Sequence, residues 1–147
     1  MTAYVLTWNP ARSAVDDVRW ARWVGRMDAG DQVRVAWRMG ATRHGVTAGQ
    51  PVWLLRQGTR GRGLVGRGLV EADGVHPDDE WDGVGRPAYH VRVAFTAGVD
   101  PADAIGVDEL ELVTRRFDWR HVYASGNRLD DVDDVALARR WDSGCGG

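Results

Sequence analysis

Residues 51–71, PVWLLRQGTRGRGLVGRGLVE, constrain the fold more than any other stretch of the chain. Two apolar runs, 51–57 and 64–71, have the length and composition of strands, and the intervening GTRGRG is turn material. Within it GRGLVG places Gly61, Gly63 and Gly66 in the G-x-G-x-x-G spacing used to bring backbone against phosphate. A dinucleotide fingerprint requires that turn to open a helix whose N-terminus meets the pyrophosphate. Here a strand follows, so Asp82, at the distance of a ribose-binding acid, has no helix to work with. The glycines read instead as a hairpin turn and as points where a sheet can bend sharply.

Further strands are expected at 4–8, ended by Asn9-Pro10, at 33–37 and at 88–95, where Tyr89, Val91, Val93 and Phe95 alternate with their neighbours. Ser13 is positioned to cap a helix running to about Met27, with Val15, Val18, Trp20 or Ala21, and Val24 on one face. A second helix is expected over about 131–141, and a short one within 102–117. The segment ADGVHPDDEWDGVGRP, 72–87, is a long loop for a compact domain. This order gives an α+β domain, a curved β-sheet or small β-barrel flanked by helices. It fills 1–142, leaving 143–147 as a flexible Gly-rich tail. With 147 residues, 44% of them apolar, the chain has the material for one ordinary core.

All 19 basic residues are arginine. The absence of lysine rules out a Walker-A lysine, a kinase strand lysine and Schiff-base catalysis. Arginine, glycine, alanine, valine and aspartate are abundant together and isoleucine occurs once, which is the mark of base composition rather than of phosphate binding. Charge is uneven: residues 1–70 hold 11 Arg against 4 acids, and residues 71–147 hold 8 Arg against 17. That asymmetry permits one basic face on a protein of net charge −2. The single Cys145 allows neither an internal disulfide nor a multi-cysteine zinc site, and a reducing cytoplasm is the simplest setting. MTAYVLTWNP lacks a basic n-region and a cleavage site, and no apolar run approaches the ~18 residues of a membrane span.

LTWNP at the start, WRMG some 30 residues on, GQPVWLLRQG followed by RGLVGRG, a Trp-Asp pair, the YHVRV strand, and then FDW, ASG and a closing Trp form an ordered set of motifs. From Tyr4 to Trp141 this set resembles the EVE domain, a member of the PUA-like superfamily that also holds the YTH, ASCH and PUA modules. The resemblance implies a small barrel flanked by helices, with a pocket for one nucleobase swung out of its strand. It further implies a reader of 5-methyl- or 5-hydroxymethylcytosine in DNA, associated with restriction or other defence proteins such as a nuclease. YTH relatives hold methylated adenine in RNA. One departure stands out: the family form has a small polar residue after the second-motif Trp, whereas this chain has Arg38-Met39, with consequences for pocket size or base preference.

A displaced base regains lost stacking from π-faces, at roughly 1–3 kcal/mol per base. Of the eight Trp, Trp20, Trp23, Trp53 and Trp141 suit core positions on helices or mid-strand. Trp8, Trp37 and Trp119 each stand where a strand meets a loop, and the resemblance puts Trp37 and Trp119 at the pocket, with Trp8 at or beneath it. Base edges need fixed donors and acceptors; Asn9, Gly40, Thr42, Arg43, Ser125 and Gly126 lie in the implied pocket segments, and each is also an ordinary turn residue. Arg56, Arg60, Arg62 and Arg67 lie in a stretch without an acid from 33 to 70 and would grip flanking phosphates.

The carboxylates of HPDDEWD, 76–82, have no second cluster to work with, and LDDVDD, 129–134, suits a helix N-terminus rather than a calcium loop. With no G-x-S-x-G and scattered histidines, a hydrolase is unsupported. The expectation is a non-enzymatic module that uses no cofactor or metal and whose partner is nucleic acid, modified DNA ahead of RNA. The other readings are a modified-RNA reader of YTH type, a small nucleoside amidohydrolase of ASCH type, and a protein-interaction domain.

Overall fold

A computed structural model describes residues 1–58, 62–77 and 88–144. Arg60, Gly61, Asp82 and Cys145 lie outside the described residues. The strands are β1 (Ala3–Trp8), β2 (Val33–Arg38), β3 (Pro51–Arg56), β4 (Gly63–Val70), β5 (His76–Pro77), β6 (Tyr89–Gly98), β7 (Ile105–Gly106) and β8 (Asn127–Leu129). They form one curved sheet in the order β2-β6-β4-β3-β1-β8, with β5 on β6 and β7 on β4. β1 and β3 run parallel, Tyr4 facing Val52 and Trp8 facing Arg56, and the remaining pairs are antiparallel. The helices are α1 (Asp17–Asp28), α2 (Val107–Val113) and α3 (Asp131–Gly144). α3 continues to Gly144, past the expected end near Trp141.

Each face of the sheet has its own apolar core. Tyr4, Leu6, Trp8, Val52, Leu54, Val65, Val93 and Phe95 point to one side, where α1 closes the layer with Trp20, Trp23 and Met27. Val5, Trp53, Leu55 and Leu64 point to the other, where α2, α3 and the segment between them supply Leu110, Trp119, Val122, Leu137 and Trp141. Strand alternation thus fills both layers at once.

The glycine-rich run is part of this construction. A Cβ on Gly66 or on Gly98 would lie 2.8 Å from the Trp20 indole, so the sheet can press against that ring only where side chains are missing. Breaks in pairing register between Leu54 and Leu55 and between Arg67 and Gly68 supply the bend.

The first helix starts later than Ser13. Asp16 is its cap, accepting from the Arg19 amide at 2.8 Å, whereas Ser13 Oγ accepts from the Val15 amide in a local turn. Trp20, Trp23 and Met27 define the buried stripe, and Val18, two positions from Trp20, is turned out and exposed. The mixed 102–117 segment resolves into a 3₁₀ turn (Pro101–Asp103), β7 and α2.

Candidate nucleic-acid interface

β2 and β1 approach at the open seam of the sheet without pairing strand to strand. The Trp37 indole N–H donates to the Thr7 carbonyl at 3.0 Å. Beyond β2, the amides of Gly40 and Ala41 both donate to the Ser125 carbonyl, at 3.1 and 3.0 Å, and Ser125 Oγ accepts from the Thr7 amide at 3.0 Å. Gly126 donates its amide to the Val5 carbonyl at 2.8 Å. Its φ is +97°, and a Cβ there would collide with the buried Met39. Ser125, Gly126 and Gly40 therefore hold the seam together, and the Ser125 hydroxyl is engaged with backbone rather than held open for a base edge.

Between the ends of β1 and β2 the seam leaves a hollow of about 510 Å³, lined by Thr7, Trp8, Asn9, Arg12, Ser13, Trp37, Arg38 and His90 among others. Trp8 is buried and anchored by its indole N–H to the Val15 carbonyl at 2.8 Å. Trp37 is 7% exposed and meets Phe95 edge-on at 5.4 Å, so it is a wall of the hollow rather than a free plate. Asn9 Oδ1 accepts from the Ala11 amide at 3.1 Å, which fixes the side chain at the rim. Arg38 faces His90 across β2 and β6. Among the described residues, Arg12 and Arg38 have no acidic partner, and no carboxylate lines the hollow.

Trp119 does not join this site. It is fully buried in the opposite core, its indole N–H donating to Thr114 Oγ1 at 2.8 Å and its ring 4.5 Å from that of Phe117. The expected pair of Trp37 and Trp119 is therefore split between the two faces of the sheet. A Trp next to turn residues carries no sign of which face it will occupy.

The described arginines of the hairpin, Arg56, Arg62 and Arg67, are also committed elsewhere. Arg56 is buried and bidentate to Asp17, at 3.2 and 3.1 Å, with its guanidinium 5.7 Å over the Trp8 ring. Arg67 lies 4.8 Å over Trp53 and bonds Asp142 at 3.2 Å, on the α3 side of the sheet. Arg62 donates to the Arg120 carbonyl at 3.0 Å. Arg120 is itself clasped by Glu111 and Asp108, which raise its pKa in that order of importance. Thr42 and Arg43 line a neighbouring groove rather than the hollow, with Arg43 stacked 4.9 Å from the Tyr89 centroid. What the sequence reading missed is Arg12, Ser13, Arg38 and His90 at the rim. The unusual Arg38 was the one available signal.

Among the described residues no group of three or more His, Cys, Asp or Glu is placed to hold a metal ion, and no helix is long and apolar enough to cross a membrane.

A curved eight-stranded sheet with helices on both faces is the α+β architecture, a curved sheet flanked by helices, that the sequence led us to expect. Solved structures agree. The chain matches a hypothetical protein from Leishmania major at a TM-score of 0.63 and 14% identity, over 97% of this chain and 96% of that one. It also matches human THYN1 in complex with DNA containing 5-methylcytosine, at a TM-score of 0.56 and 12% identity, over 95% of this chain and 97% of that one. No protein-family model and no curated protein matches the chain.

Proposed function

We propose that the chain binds nucleic acid and receives one displaced base in the hollow between the ends of β1 and β2, the base being 5-methyl- or 5-hydroxymethylcytosine of DNA. The observation that carries this reading is the hollow itself. Its volume of about 510 Å³ lies within the size of small-ligand sites, two indoles line it, and its rim arginines have no acidic partner among the described residues. The likeness in fold to THYN1, seen with 5-methylcytosine DNA, supports the class of ligand.

In this reading Trp8 and Trp37 form an apolar floor against which a C5 substituent is desolvated. Arg38 and His90 are the planar groups at the rim, able to cover a base from the open side as aromatic and guanidinium planes do. Asn9 and Ser13 supply polar groups for the base edge, and Arg12 draws in phosphate. A single methyl in a pocket contributes on the order of 1–3 kcal/mol. Such modest discrimination suits a module that works with a partner that cuts or signals, a nuclease or other defence protein in the cytoplasm. The module binds its ligand without turning it over, in keeping with a chain that has no lysine and no recognisable nucleophile motif.

The test is a binding screen at fixed salt over single- and double-stranded oligonucleotides with modified cytosine or adenine, as DNA and as RNA. The expected result is a preference of roughly tenfold or more for modified-cytosine DNA. Arg38→Ala and His90→Ala should lose it without a change in melting temperature. Preference for methylated adenine in RNA would move the reading to the YTH type, and release of nucleoside from acylated cytidine would make the chain an enzyme. Equal affinity for every oligonucleotide would overturn base recognition.

A further inference from the structure

Resting on that reading, we propose that the strand flanking the displaced base runs along a second groove beside the hollow, where Arg43, His44 and Arg128 hold its phosphates in place of the hairpin arginines. The groove, about 550 Å³, is lined by Ala41, Thr42, Arg43, His44, Asn127 and Arg128, with no carboxylate among the described residues. In a chain with 21 acids and net charge −2, two arginines in one groove with no acid among its described lining make a distinct local field.

Phosphate binding needs N–H groups that are held in place yet not spent on carboxylates. Both arginines meet this condition. Arg43 holds its guanidinium carbon 4.9 Å from the Tyr89 ring centroid, a cation–π contact that positions the group without a carboxylate. Arg128 donates one N–H to the His44 carbonyl at 3.2 Å, which orients the fork and leaves other donors for a ligand. Among the described residues neither has an acidic partner. Arg56 and Arg67, by contrast, are paired to Asp17 and Asp142.

Position links the groove to the hollow. Its two walls, 41–44 and 127–128, are tied together where Gly40 and Ala41 donate to Ser125. That same Ser125 accepts from Thr7, which lines the hollow. Tyr89, beneath Arg43, lies between Ala88 and His90 of the hollow in sequence. A nucleotide chain can thus pass from Arg38 to Arg43 and on to Arg128 between a hollow and a groove that have no carboxylate among their described lining residues, its displaced base resting in the hollow.

The experiment measures affinity of the full chain for a 12-nucleotide single strand carrying one central 5-methylcytosine, and for its unmodified twin, across a series of NaCl concentrations. The Arg43→Ala/Arg128→Ala double variant should weaken both oligonucleotides alike and lower the slope of log K against log salt by about 1.4, two single-strand phosphate contacts at about 0.7 each. The Arg62→Ala/Arg67→Ala double variant should leave the slope unchanged, and thermal melts verify that both variants fold. An unchanged slope in the first variant, with preference for 5-methylcytosine intact, would overturn the groove and leave the base reading standing. A lowered slope with no preference for the modified base in any form of the protein would overturn the base reading and retain the groove as a strand-binding surface. Displacement of the oligonucleotide by poly-glutamate as readily as by an unmodified strand would overturn phosphate as the ligand. Absence of any binding would overturn both.

Discussion

Asp133 is the buried carboxylate on which the outer layer most depends, and replacing it by alanine tests how that layer is held. The residue is 1% exposed. Its carboxylate accepts from the amides of Arg115, Arg116 and Phe117 at 2.7, 3.0 and 2.9 Å. Hydrogen bonds to a charged group contribute roughly 1.5–3 kcal/mol each, and an orphaned buried donor costs the desolvation of that group. Three such bonds set an upper bound, reduced because Arg115 and Arg116 are exposed and their amides can recruit water. We expect Asp133→Ala to cost about 4 kcal/mol. With a urea dependence of about 2 kcal/mol per molar, the midpoint falls by about 2 M, and the melting temperature falls by about 10 °C. Asp133→Asn, which keeps the shape but turns an NH₂ toward amide donors, should recover less than half of the loss. Urea titration by tryptophan fluorescence gives the midpoints, and hydrogen exchange of amides 115–117 gives the local effect. A midpoint shift below about 0.5 M for Asp133→Ala would refute the idea that this carboxylate anchors the segment.

Two further outcomes follow from paired charges. Asp17→Ala leaves the buried Arg56 unpartnered and should destabilise by about 2 kcal/mol, below the usual range for a buried pair because Asp17 is partly exposed. Arg56→Met removes the charge itself and should cost less; the reverse order in urea titrations would show that the pair is not the stabilising element. Asp118 has its carboxyl held below its ordinary value of 3.8, chiefly by the side-chain hydrogen bond with His121 at 2.7 Å. A depressed folded-state value favours folding above the unfolded pKa, and the contribution is lost as pH falls through the folded one. A carbon-13 titration should find the Asp118 midpoint below 3.8 and see it rise in His121→Ala; an unmoved midpoint in the variant would contradict the stated cause.

The sheet was legible because period-2 patterns such as YHVRVAF and the glycine punctuation of 58–68 carry their own structural meaning. The exact start of α1 was less so, since Ser13 and Asp16 both fit a cap and only the packing of Trp20 and Trp23 selects between them. The candidate site was read in part. Trp8 and Asn9 stand at the end of β1 and Trp37 near the end of β2, positions marked by a strand running into turn residues, and all three line the hollow. Trp119 carries similar local surroundings, but its bond to Thr114 and a core shared by α2 and α3 decide its place. The arginines misled for a related reason. Their acid-free stretch is a property of sequence, whereas Asp17 and Asp142, 39 and 75 residues away from Arg56 and Arg67, meet them only after folding.

Because β3 turns Val52 and Leu54 toward one core and Trp53 and Leu55 toward the other, no slimmed-down fragment of this protein can be cut at the sheet. A truncation after β7 would retain most strands around the hollow, yet it would strip cover from Trp53, Leu55 and Leu64 and remove the Ser125 clasp at the seam. Any shortened form meant to keep the hollow has to carry the distal helices along with the strands.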